Sequence, residues 1–125
     1  MDITISKGDG TPKIYYFGFY GRAEPIRMIM EVAGVKYDDV RMSFEQFGAL
    51  KQSGALPTGQ VPLYVDESGR QFNQTGAIMI MLARKHGLYS NDAEECYIND
   101  WAIDTMADLM TSDFVGLFFK DSLTD

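Results

Sequence analysis

Apolar residues in this chain alternate in short runs near the N-terminus and then recur at helical spacing. Lys13–Phe17, reading KIYYF, has the β-branched and aromatic content of a strand. Gly21 punctuates it, and residues 23–33 predict a helix. Ile26, Ile29, Met30 and Ala33 make one apolar stripe there, Pro25 is tolerated in the first turn, and Gly34 supplies the stop. Residues 37–41 predict a second strand, so the first three elements imply a right-handed crossover with parallel pairing. Residues 44–50 predict a short, irregular helix and 54–60 a loop. The runs 61–65 and 70–72 flank Asp66-Glu67-Ser68-Gly69 and predict an antiparallel hairpin. Residues 76–86 predict a further helix that ends at Gly87.

From Ser90 the pattern changes. Ser90, Asn91 and Asp92 offer N-cap side chains, with Glu94 and Glu95 in the first turn where they suit the helix dipole. Residues 93–110 predict a long helix with Tyr97, Ile98, Trp101 and Met106 toward one side, and 114–119 extends the apolar pattern across Gly116. The expected organisation is a flexible N-terminal extension (1–12), an α/β domain (13–89) and a long helix that looks like the first of a second, all-helical domain (90–125). The order β-α-β-α-β-β-α of residues 13–89 is that of a thioredoxin-like domain.

Composition narrows the function classes. The net charge of −7, from 11 Lys and Arg against 18 Asp and Glu, argues against a nucleic-acid surface, which needs clustered cations. An anionic ligand would have to be met locally, by Arg22, Arg27, Arg41 or Lys51. No apolar run reaches the ~18 residues of a membrane span, and the polar first residues lack a signal-peptide core. Cys96, the single cysteine, excludes an internal disulfide framework and a CxxC redox pair. Neither Cys96 nor His86 has the neighbours of a nucleophile or metal site, so no metal is expected and a cytoplasmic protein is.

Three segments carry the functional reading. Residues 15–27, YYFGFYGRAEPIR, join the aromatic strand, a glycine turn and an Arg-bearing helix start. Gly59-Gln60-Val61-Pro62 and Asn73-Gln74-Thr75-Gly76-Ala77-Ile78 follow. Together they resemble the glutathione-binding half of cytosolic glutathione transferases, nearest the tyrosine-type classes (sigma, pi and alpha). The resemblance covers a whole domain over 13–89 and only the start of the family's helical domain over 90–125.

Taken as residues alone, Tyr15, Tyr16 and Tyr20 could all be core aromatics. Strand alternation sends Tyr15 and Tyr16 to opposite faces, so only one can enter a site, and Tyr20 competes if the turn is shaped differently. The resemblance implies that Tyr16 is catalytic. A thiol with a pKa of roughly 8.5 is mostly protonated at neutral pH, and the thiolate is the nucleophile. A neutral phenol that donates to the thiolate favours it. Lowering the thiol pKa by about two units takes roughly 2.7 kcal/mol, within reach of one charge-assisted bond and a nearby cation, here Arg22.

The remaining contacts follow from the same resemblance. A cis peptide before Pro62 would leave the Val61 amide and carbonyl to pair with the ligand's cysteine backbone. Thr75 reads as an N-cap, and the amides behind it, with Gln74, would bind the γ-glutamyl carboxylate. Lys51 and Gln60 would take the glycine carboxylate, with Phe47 standing where the resembled classes carry a tryptophan. Asp108 would reach a partner subunit's ligand, which implies a homodimer. The expected function is glutathione conjugation to a small electrophile, with glutathione as co-substrate. The alternatives are a non-catalytic docking module of the same fold or a sigma-type prostaglandin isomerase. A thioredoxin-type oxidoreductase is rejected for want of a cysteine near the first helix.

Overall fold

Three consecutive buried residues, Ile14, Tyr15 and Tyr16, mark β1 (Lys13–Phe17) as an interior strand of the sheet. The computed structural model describes residues 2–111. The chain divides into two compact units, Met1–Leu88 and Tyr89–Asp125. In the first, β1 pairs in parallel with β2 (Asp38–Met42) and antiparallel with β3 (Leu63–Val65), which pairs antiparallel with β4 (Gln71–Asn73). The order across the sheet is β2-β1-β3-β4. With α1 (Glu24–Val32), α2 (Phe44–Gln52) and α3 (Thr75–Lys85), this is the thioredoxin-like arrangement that the residue pattern implies.

The pleat of β1 divides the core. Ile14 and Tyr16 face Ala23, Ile26 and Met30 from the α1 segment, with Tyr64 and with Ile78 and Leu82 of α3. Tyr15 faces the other way, onto Met42, Leu50 of α2, Leu56, Leu63 and Val65. With Asp66, Arg27 is one of two buried charged residues among those described, and it is only 4% exposed. Its guanidinium donates to the carbonyls of Phe17, Phe19 and Tyr20 and to the carboxylates of Glu24 and Asp39, at 2.9 to 3.4 Å. A buried charge is tolerable only when so fully partnered. The effect is to clamp the β1–α1 turn to both neighbouring elements.

Several boundaries differ from the sequence expectation. A 3-10 turn, Gly21–Ala23, precedes α1, which starts at Glu24. β2 runs one residue later than expected, because Asp38 is held opposite Lys13 by register. α2 is longer and regular rather than short and irregular. A capping box that the sequence reading overlooked starts it: Ser43 Oγ accepts from the Gln46 amide, and Gln46 Oε1 accepts from the Ser43 amide.

The largest correction concerns the N-terminal extension, which does not trail away as a flexible tail. Ile3 and Ile5 pack against the Tyr15 side of the core. The Tyr15 hydroxyl accepts from the Ser6 amide at 2.9 Å and donates to the Thr4 carbonyl at 3.3 Å. Further on, the Gly10 amide donates to the Glu67 carbonyl at 3.1 Å. These residues form a strap across the face of the sheet.

In the second unit, α4 (Ala93–Met110) starts at Asp92, whose carboxylate accepts from the Glu95 amide at 3.1 Å. Its apolar side chains do not share one stripe as expected. Tyr97, Ile98 and Trp101 are exposed. Met106 lies instead with the partly sheltered Cys96, Asp100, Ile103 and Met110, because five residues from Trp101 is well over a full turn. The expected extension over 114–119 lies outside the described residues. No helix among the described residues is long and apolar enough to cross a membrane.

Candidate active site

Strand register gathers the three sequence segments at one end of the sheet. Tyr15 stands opposite Leu63, so Tyr16 and Phe17 run on beside the segment that enters β3, which contains Val61 and Pro62. Leu63 in turn stands opposite Asn73, so Gln74 and Thr75 leave β4 at the same end. A hydrogen bond from Asn73 Nδ2 to Thr58 Oγ1 at 2.9 Å ties the loop before Gly59 to that exit. The sequence reading missed this pair. Only the folded register makes residues 58 and 73 neighbours.

The two adjacent tyrosines differ in what their hydroxyls do. Tyr15 both accepts and donates within the strap, so its phenol is fully used, and burial pushes its pKa up. Tyr16 is 5% exposed, and its hydroxyl accepts from the Arg22 amide at 3.1 Å. Its own proton has no acceptor among the described residues. An accepted bond polarises a hydroxyl toward donating, so this phenol is a ready donor to an anion at the sheet end. The Arg27 guanidinium lies 5.7 Å from its ring centroid. Phe17 and Phe19 pack at 5.1 and 5.6 Å on its other sides. Tyr20 is 74% exposed and makes no comparable contact.

The turn that brings Arg22 over Tyr16 depends on Gly21. Its φ is +46°, and a Cβ there would collide with the Tyr16 hydroxyl and ring. Of the four candidate cations, Arg27 and Arg41 are engaged with Asp39, and Arg27 with Glu24 as well. Neither Arg22 nor Lys51 forms an ion pair among the described residues. The Lys51 stem passes beside Gly59, where a Cβ would lie 3.5 Å from Cε, and its ammonium is 6.0 Å from the Phe47 ring. Lys51, Phe47 and the Gly59-Gln60 turn therefore form one edge of the site, with the Gln60 side chain exposed.

The peptide between Val61 and Pro62 is cis. Val61 is half-buried against both halves of the core. The start of α3 departs from expectation: Thr75 is its first residue, and Gln74 is the cap, without a side-chain capping bond. Gln74 has φ +75° and ψ 108°, the single non-glycine positive φ among the described residues. Such a conformation costs about 1–3 kcal/mol and is held where the surroundings over-determine it. The first α3 amide to find a helical acceptor is that of Ile78, on the Gln74 carbonyl, so the amides of Gly76 and Ala77 precede the helical ladder. Asp108 is exposed on α4, in the second unit. No group of three or more metal-ligating side chains occurs among the described residues.

Comparison with known proteins places this geometry. The family model for the glutathione S-transferase N-terminal domain matches residues 12–84. Human glutathione S-transferase A3 is 40% identical over 101 residues, which are 80% of this chain and 45% of that protein. Among solved structures, prostaglandin synthase D of Nilaparvata lugens superposes with a TM-score of 0.74 at 35% identity, covering 90% of this chain and 54% of that one. Monomeric Na-GST-3, a glutathione S-transferase of Necator americanus, gives 0.75 at 28% identity, with 90% and 55% covered. The chain spans about half the length of the relatives it matches. Since the domain family covers more than half of its residues, with the expected fold around them, this chain belongs to the glutathione S-transferase N-terminal domain family.

Proposed function

We propose that this chain is the glutathione-binding part of a glutathione transferase, which holds the tripeptide at the sheet end and ionises its thiol for attack on an electrophile. The observation that carries the reading is the contrast between the two tyrosines: the Tyr15 hydroxyl is used up, while Tyr16 keeps a polarised proton beside Arg22. Tyr16 donates to the developing thiolate and keeps its proton, so it contributes preorganised electrostatics rather than proton abstraction. Arg22 adds positive charge nearby. The Val61 main chain pairs with the cysteine backbone of glutathione, and the Gly76 and Ala77 amides with Gln74 and Thr75 hold the γ-glutamyl carboxylate. Lys51 and Gln60 take the glycine carboxylate beside Phe47. The full enzyme is a cytoplasmic homodimer in which Asp108 of one subunit reaches the other's ligand.

Calorimetric titration with glutathione tests this, together with the thiolate absorbance of the bound ligand as a function of pH. Wild type binds with a depressed thiol pKa. Tyr16→Phe still binds, with that pKa raised by about one to two units, the worth of a hydrogen bond to a charged group. Absence of binding in both proteins would leave the docking-module reading in its place. A second chemistry, isomerisation of a prostaglandin-type peroxide by the same thiolate, is favoured by the likeness to prostaglandin synthase D. Turnover of such a peroxide against a chlorinated aromatic substrate separates the two.

A further inference from the structure

The N-terminal strap has no role in the proposed chemistry, yet it is built into the support of one edge of the site. Ile3 and Ile5 complete the core that contains Tyr15, Met42, Leu50 and Leu56. The same core carries Phe47 and Ala55 on its border, and Val61 as well. It therefore backs both α2, with Phe47 and Lys51, and the loop that leads to Gln60. α2 is capped at its start, but it buries a single residue, Leu50, which makes it the least anchored helix of the first unit. Gln46, Ala49, Leu50 and Ser53 of the α2 segment and residues 2–7 of the strap line the same open cavity of about 710 Å³. The strap's contact with that core is made by Ile3 and Ile5, on the side that holds the Tyr15 ring and Leu50.

We propose that the strap, latched by the Tyr15 hydroxyl, is a positioning device for the glycine-binding edge of the site. It presets α2 so that Lys51 meets a terminal carboxylate without first having to be ordered. Two facts make Tyr15 the latch. Its hydroxyl bonds two strap backbone groups, the Ser6 amide and the Thr4 carbonyl, and its ring is 2% exposed within the core that seats Leu50. Adjacent tyrosines on one strand thus serve the two ends of one ligand. Tyr16 faces the thiol, and Tyr15, through α2, supports the glycine end. A helix that is ordered only on binding charges that ordering to the affinity, and a preset one does not.

This inference rests on the glutathione reading, and its test separates the two. The ligands are glutathione and γ-glutamylcysteine, which lacks the glycine, titrated into the 125-residue chain, Tyr15→Phe and a variant lacking residues 2–7. Wild type prefers glutathione. In both variants glutathione binding weakens by roughly 3- to 10-fold, as expected for lost hydrogen bonds of ordinary strength, while γ-glutamylcysteine binding holds. Equal weakening of both ligands, no weakening, or a wild type that does not distinguish them would overturn the inference. Amide hydrogen exchange gives a readout independent of the ligand. Exchange over 44–52 and 55–62 rises in Tyr15→Phe, while α1 and α3 stay protected. If it does not rise, the strap does not preset α2, whatever the chain binds. If it rises and no protein binds glutathione, the glutathione reading fails and the support of α2 stands. Tyr15→Phe keeps the core ring, so it answers even if the deletion fails to fold.

Discussion

At the scale of single residues, the candidate site is organised by a glycine as much as by the tyrosine it covers. Gly21 sits at φ +46° with no room for a Cβ against the Tyr16 hydroxyl. Replacing it with alanine strains the backbone and pushes the phenol away from the Arg22 amide. Gly21→Ala is expected to lose about 1–2 kcal/mol of stability and to raise the bound thiol pKa nearly as far as Tyr16→Phe does. Thermal unfolding and thiolate absorbance check the two effects separately. An unchanged thiol pKa would mean that the turn does not set the phenol's position. The sequence pointed to Gly21 as punctuation and to Tyr16 through its motif. It could not assign the spare hydroxyl proton to Tyr16 rather than Tyr15, because that depends on Ser6 and Thr4 folding back across nine and eleven residues.

At the scale of elements, the β3–β4 link shows how local chemistry pins a hairpin. Asp66 is buried, and its carboxylate accepts from the Ser68 amide and hydroxyl and from the Arg70 amide and guanidinium, at 2.8 to 3.0 Å. Burial alone would raise its pKa, but these bonds outweigh it and hold the carboxyl well below the usual carboxylate range. In the unfolded chain the group titrates near ~3.9, so between the two values the unfolded state binds the extra proton. Its contribution is therefore complete at neutral pH. It starts to fade as pH falls below about 5 and is gone below the folded pKa. Urea unfolding from about pH 7 to about pH 3 is expected to show that acid loss, and Asp66→Asn to flatten it. An identical acid slope in the variant would assign the loss to other carboxylates. The turn itself was legible from Asp66-Glu67-Ser68-Gly69, as were the helices and strands of the first unit. The capping box at Ser43 and Gln46 is equally local, a serine with a glutamine three residues on at the head of α2.

For the whole molecule, the proposed site draws on association between chains. The exposed Tyr97, Ile98 and Trp101 present an apolar surface on α4. The proposed second contribution, Asp108 acting in a partner's site, requires self-association, whereas one structural relative is described as monomeric. Sedimentation equilibrium decides the state. If the chain dimerises, Asp108→Asn is expected to weaken glutathione binding about 10- to 100-fold, the worth of one charge-assisted bond, at concentrations where the dimer forms. A monomer whose affinity is indifferent to that substitution would remove Asp108 from the site.

The sequence by itself determined the element order, the glycine turns and the family, since periodicity, breakers and short motifs are properties of neighbours along the chain. It also singled out Tyr16 and the Val61-Pro62 pair. Only the tertiary structure decided that the first residues are a strap, that Gln74 rather than Thr75 caps α3 in a left-handed conformation, and that Arg27 is spent on the turn. The strap and the Arg27 bonds are contacts between segments that local pattern does not connect, and the Gln74 backbone angle is one that residue type alone does not prescribe. Strand register and burial choose among partners that the sequence alone leaves equivalent.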